Sequence, residues 1–210
     1  MVSSDQAMTY AIGDLHGEVT LLKRLLALLP FREEDTLVFL GDYLDRGEDS
    51  IATILALREL QRSHAACVFL RGNHDDAWLE CWDGSRFTHP PDIDGAMEVW
   101  DGCDGQIPFE AGYWLEETRI EYEDTYAYYV HAGVTPGQPV WRTAGLNKMW
   151  GVKGFFDSDY DWGKPVVFGH KQLPEPLLQP NKIGIDTGAY RTGRLTAVRL
   201  PDRQLFEARR

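Results

Sequence analysis

Asp14 and His16 stand two residues apart in GDLHG (13–17), and Asp42, Asp45 and Arg46 crowd into GDYLDRG (41–47). Arg71, Asn73 and His74 fall within RGNHD (71–75), while His131 opens HAG (131–133) and His170 closes GH (169–170). Six of these, Asp14, His16, Asp42, Asn73, His131 and His170, are candidate metal ligands, and the two oxygens of Asp42 suit it to bridging two cations. A mixed nitrogen and oxygen set without thiolate fits two divalent ions of the Mn²⁺, Fe or Zn²⁺ kind, Mn²⁺ being placed first. Two such ions outweigh the charge of two carboxylates and leave a centre that attracts anions. An isolated histidine reads by default as a hydrogen-bonded structural residue. Six metal-competent residues gathered at the ends of apolar runs are different, because burying polar groups without partners costs ~2–7 kcal/mol each. His64 and His89 follow no such run and read as ordinary surface or loop residues.

The elements that must position these residues are visible in the hydrophobic pattern. MTYAI and TLVFL are compact apolar runs that each lead into Gly-Asp, and ACVFL leads into Arg-Gly-Asn. Between them, VTLLKRLLALL carries leucines on one broad helical face and is closed by Pro30, and DSIATILALRELQ begins on an Asp suited to capping a helix. This alternation predicts parallel strands joined by crossover helices, with the chemistry at the strand C-terminal ends. RIEYE and YAYYV predict a hairpin around Asp124, and PVVF, KIGID, RLTAVRL and RQLFEA predict further strands. Residues 83–113 break the pattern with Gly, Pro and Asp, and predict an inserted lid or rim with one short helix near Met97.

The chain has 210 residues, is 43% hydrophobic and contains seven Trp, enough for one substantial core, so residues 1–210 are expected to form a single domain. A net charge of −12 argues against a broad nucleic-acid-binding surface. Cys67, Cys81 and Cys103 form no CxxC pair, and MVSSDQAMTY lacks a basic and apolar leader, so the chain reads as cytoplasmic, without membrane attachment.

Taken together and in order, the five blocks resemble the phosphoprotein phosphatase family of calcineurin-like metallophosphoesterases, whose pattern is GDxHG, GDxxDRG, GNH[ED], a later His among small residues and a final GH. IDTGAYRTGRLTAV (185–198) is similar to the C-terminal strand region of bacterial members. The resemblance implies an α/β sandwich of mixed sheets flanked by helices, with a dinuclear metal site. It assigns Asp14, His16 and Asp42 to one ion and Asp42, Asn73, His131 and His170 to the other, with a bridging hydroxide attacking phosphorus in line. It further implies that His74 is the general acid, that Asp45 pairs with it, and that Arg46 and Arg71 grip phosphate oxygens. Asp75 stands where many eukaryotic members have Glu, and no certain match exists for a further phosphate-binding Arg, with Arg142 and Lys153 the nearest choices.

The leading functional expectation is a bacterial-type serine/threonine protein phosphatase, with phosphotyrosine as a further substrate and a phosphorylated protein or peptide as partner. The alternative is a dinucleoside polyphosphate hydrolase acting on diadenosine tetraphosphate, which HAG and KMW also resemble, although those enzymes usually carry a larger cap. An inactive binding scaffold ranks last, since His74, Asp45 and all six ligand candidates are retained. The 83–113 segment has seven acidic residues against Arg86. It reads as a solvated loop anchored by Trp100 and Phe109, ahead of a preference for basic peptides.

Overall fold

The computed structural model describes residues 6–64 and 66–210. Apolar alternation along the first strands dictates a sheet with two covered faces. In β1 (Thr9–Ile12), Tyr10 and Ile12 face one way and Ala11 the other; in β2 (Thr36–Phe39), Leu37 and Phe39 oppose Val38. The first set packs against α1 (Val19–Leu28) and α2 (Ser50–Ser63), whose buried leucines and isoleucine recur at helical spacing. Asp49 caps α2 as expected, its side chain accepting from the Ala52 N–H at 2.8 Å.

β1, β2 and β3 (Cys67–Phe69) are parallel, as the crossover helices require. After β3 come α3 (Asn73–Glu80), α4 (Ala96–Gly102) and α5 (Phe109–Glu116). The expected hairpin is β4 (Glu121–Glu123) with β5 (Tyr128–Val130), followed by a 3-10 turn at Val140–Arg142 and α6 (Gly145–Trp150). The chain ends with β6 (Val166–Phe168), β7 (Leu177–Leu178), β8 (Lys182–Gly184), α7 (Ala189–Thr192), β9 (Arg194–Leu200) and β10 (Gln204–Arg209).

Two five-stranded sheets result, ordered β10-β9-β1-β2-β3 and β4-β5-β6-β8-β7. Ala11, Val38 and Val198 of the first meet Tyr129, Val167 and Ile183 of the second in a buried layer between them. The outer face of the second sheet is covered by Val134, Val140, Phe155 and Trp162 from its own loops. The arrangement is a mixed α/β sandwich with helices outside the first sheet. No helix among the described residues is long and apolar enough to cross a membrane.

The 83–113 segment is more structured than its composition suggests. It holds α4 near Met97 as expected, but also α5, and sends Phe87, Ala96, Ile107 and Ala111 into the main core. Trp100 packs against that core whereas Phe109 is exposed. His64 is buried rather than on the surface, with Nε2 at 2.7 Å from the Asp35 carbonyl.

Candidate metal centre

Parallel strands release their chains at one edge, and the candidate residues follow those exits. Asp14 lies two residues beyond β1, Asp42 three beyond β2, His131 immediately after β5 and His170 two beyond β6, while Asn73 begins α3. The loops then turn sharply. His16, Asp42, Asp45, Arg46 and His170 all have positive φ, between 42° and 73°, a region that costs non-glycine residues ~1–2 kcal/mol each. Gly72 and Gly169 are required by contact: a β-carbon at Gly72 would overlap Asp42 Oδ1, and one at Gly169 would overlap Asp14 Oδ1.

All six ligand candidates come together, five of them buried and His170 partly so. The geometry leaves electron-rich atoms facing one another. His16 Nδ1 lies 2.8 Å from the Leu44 carbonyl and His131 Nδ1 lies 2.8 Å from the Leu40 carbonyl, so each Nδ1 carries the proton and Nε2 is left with a lone pair. Those two Nε2 atoms lie 3.3 and 3.4 Å from the two oxygens of Asp42. Asn73 Oδ1 is 3.1 Å from His131 Nε2 and 2.9 Å from His170 Nδ1. Asp14 sits at the edge of this cluster and accepts the His170 backbone N–H at 3.0 Å. Facing lone pairs repel unless a cation lies among them, and Asp42 belongs to both compact donor groups, one with His16 and His74 and one with His131 and His170. The donor set therefore fits divalent ions.

Electrostatics agree with that fit. Burial opposes ionisation of Asp42, and positive charge at the His131 and His16 positions holds its carboxyl well below the usual range, a charge that cations would supply while the imidazoles stay neutral. Burial lowers His131 to about 4, keeping its imidazole neutral and able to donate a lone pair near pH 7. Burial, with the charges of Asp186 and Asp42, pushes Asp14 up. Asp186 is raised to about 6, first by burial. Sequence reasoning missed this residue, although it follows β8 at the end of KIGID just as Asp14 follows β1.

Around the cluster, His74 Nδ1 meets Asp45 Oδ2 at 2.6 Å, and Asp45 Oδ1 accepts the indole N–H of Trp78 at 2.9 Å. Asp75 accepts the backbone N–H groups of Asp42, Tyr43 and Gly72, clamping the second and third motifs together. Arg46 donates from Nη1 to His16 Nε2 and from Nε to Asp94 of the acidic segment, both at 3.0 Å. Arg71 turns elsewhere: its guanidinium bonds the carbonyls of Leu115, Glu116 and Thr118 at the end of α5. Arg142 lies over the exposed Trp141 ring, and Lys153 is exposed.

The calcineurin-like phosphoesterase family model matches residues 8–195, spanning all five motifs. The chain belongs to the calcineurin-like phosphoesterase family. Among calcineurin-like relatives, the symmetrical bis(5'-nucleosyl)-tetraphosphatase of Legionella pneumophila strain Corby is 34% identical over 94% of this chain and 95% of its own length. The asymmetrical bis(5'-nucleosyl)-tetraphosphatase PrpE of Oceanobacillus iheyensis is 25% identical over 92% and 88%. Serine/threonine-protein phosphatase 1 of Salmonella typhimurium is 29% identical over 91% of both chains. A solved structure named as a candidate diadenosine tetraphosphatase superimposes with a TM-score of 0.76 at 22% identity, covering 99% of this chain and 96% of its own.

These relatives correct the leading expectation of a protein phosphatase acting on a phosphorylated protein or peptide. The dinucleoside tetraphosphatases match over nearly their full length, one at higher identity than the protein phosphatase. The alignment to the Legionella enzyme runs over 269 positions against the 210 residues of this chain, so that relative carries extra segments, whereas the alignment to the Oceanobacillus enzyme runs over 222.

Proposed function

We propose that this calcineurin-like phosphoesterase hydrolyses a phosphoanhydride bond of dinucleoside polyphosphates, with diadenosine tetraphosphate as the reference substrate. The observation that carries the reading is the near-full-length similarity to dinucleoside tetraphosphatases, to which the site adds suitable chemistry. Asp14, His16, Asp42, Asn73, His131 and His170 would hold two divalent ions. Bound there, such ions supply positive charge to phosphoryl oxygens and acidify water near neutral pH.

The protein's own groups complete the site. Arg46 offers a planar, bidentate guanidinium donor and lies against His16, in position to take a phosphoryl oxygen. His74, held at Nδ1 by Asp45, presents Nε2 to deliver a proton to the departing nucleotide phosphate. Manganese is the first ion to supply, with iron and zinc as comparisons.

The test is chromatography of products from metal-loaded protein given diadenosine tetraphosphate. Two ADP per substrate indicates symmetrical cleavage, and AMP with ATP indicates asymmetrical cleavage. Absence of dinucleotide turnover beside rapid hydrolysis of other phosphate esters overturns the reading.

A further inference from the structure

Trp150, the last residue of α6, is 43% exposed yet anchored. Its indole N–H donates to Asp76 Oδ2 at 2.9 Å, and Asp76 lies on α3, three residues after Asn73. From the other side, the Ala132 N–H donates to the Lys148 carbonyl at 2.7 Å, tying α6 to the loop that starts at His131. Gly151 follows with φ +92°, and a β-carbon there would lie 3.8 Å from His170 Nε2. The ring therefore stands at the rim of the metal centre, on a helix held between two ligand-bearing segments.

Resting on the function proposed above, we propose that Trp150 is the stacking platform for one nucleobase of the substrate, with Asp76 fixing the ring's orientation. A base presents a neutral aromatic face, and stacking on an aromatic side chain is sequence-tolerant. Like the ribose and unlike the phosphate chain, the base is uncharged, so a chain of net charge −12 binds it without repulsion. Restraining the indole in advance reduces the entropy lost when the base arrives. Other aromatics already carry a cation: Tyr190, 5.4 Å from the His16 ring, has the Arg46 guanidinium 5.1 Å from its centroid, and the exposed Trp141 ring has the Arg142 guanidinium 5.0 Å from its centroid.

Titration calorimetry on the metal-loaded full chain tests this, using the non-hydrolysable α,β-methylene analogue of ADP and methylenediphosphonate, which keeps the charged group without the nucleoside. Trp150→Ala should weaken nucleotide binding about 10- to 100-fold and leave the diphosphonate unchanged. Trp150→Phe, which keeps a ring but loses the indole N–H, should recover part of the loss. Equal weakening of both ligands, or unchanged nucleotide binding, overturns the platform. Turnover of diadenosine tetraphosphate by the unmodified protein is measured separately: its absence removes the proposed function, while the two-ligand comparison still decides the platform.

Discussion

Asp45 uses both oxygens, one on His74 and one on Trp78, so its carboxylate cannot turn without leaving a buried partner unsatisfied. Trp78→Phe should therefore destabilise the protein by ~1–3 kcal/mol in urea unfolding and lower kcat with little change in KM. Removing the proposed proton donor should cost more: His74→Asn is expected to reduce kcat by about 10²-fold, the lower end of general-acid effects, because a departing nucleotide phosphate is a weaker base than an alkoxide. A loss confined to KM would remove His74 from that role. Asp42→Asn should abolish stoichiometric binding of two ions, measured by elemental analysis after gel filtration, since the same carboxylate serves both donor groups. The six candidate ligands were legible because each follows a short apolar run or sits beside glycine. Trp78 was not, because its role depends on the inward face of α3, and no apolar periodicity marks the acid-rich sequence NHDDAWLE as a helix.

At the scale of elements, the crossover pattern announced β1, β2 and β3, whereas α5 and α6 were hidden in stretches rich in Gly, Pro and polar residues. Tertiary support explains α5. Arg71 closes its C-terminal end, adding a cation where helix carbonyls lack partners. Arg71→Ala should lower unfolding stability by ~1.5–3 kcal/mol, the range for hydrogen bonds from a charged group. A large rise in KM without that destabilisation would instead place the residue on the phosphate, as the resemblance implies. β3 offers a pH test. Burial pushes the Cys67 thiol from 9.0 up to about 12, so the folded chain keeps a proton that the unfolded chain releases above pH 9. Stability is therefore retained below pH 9 and falls as pH rises toward 12. The urea midpoint should drop more steeply from pH 8 to 10.5 in the native sequence than in Cys67→Ala.

For the whole molecule, a net charge of −12 opposes the approach of a polyanion such as the proposed substrate. Long-range repulsion slows the encounter, and salt screens it. With metal saturating, kcat/KM for diadenosine tetraphosphate should rise with ionic strength up to about 0.15 M, where the Debye length is near 8 Å. A steady decline would show that the local positive field extends beyond the acidic surface. The left-handed backbone at His16, Asp42, Asp45, Arg46 and His170 sets a further bound on the entire chain. Backbone strain favours glycine at all five positions, but at Asp42 and Asp45 it is opposed by the buried hydrogen bonds their carboxylates accept. A library selected for solubility and protease resistance, without turnover, should accumulate glycine at His16, Arg46 and His170 rather than at Asp42 or Asp45, and become sturdier as it loses its reaction.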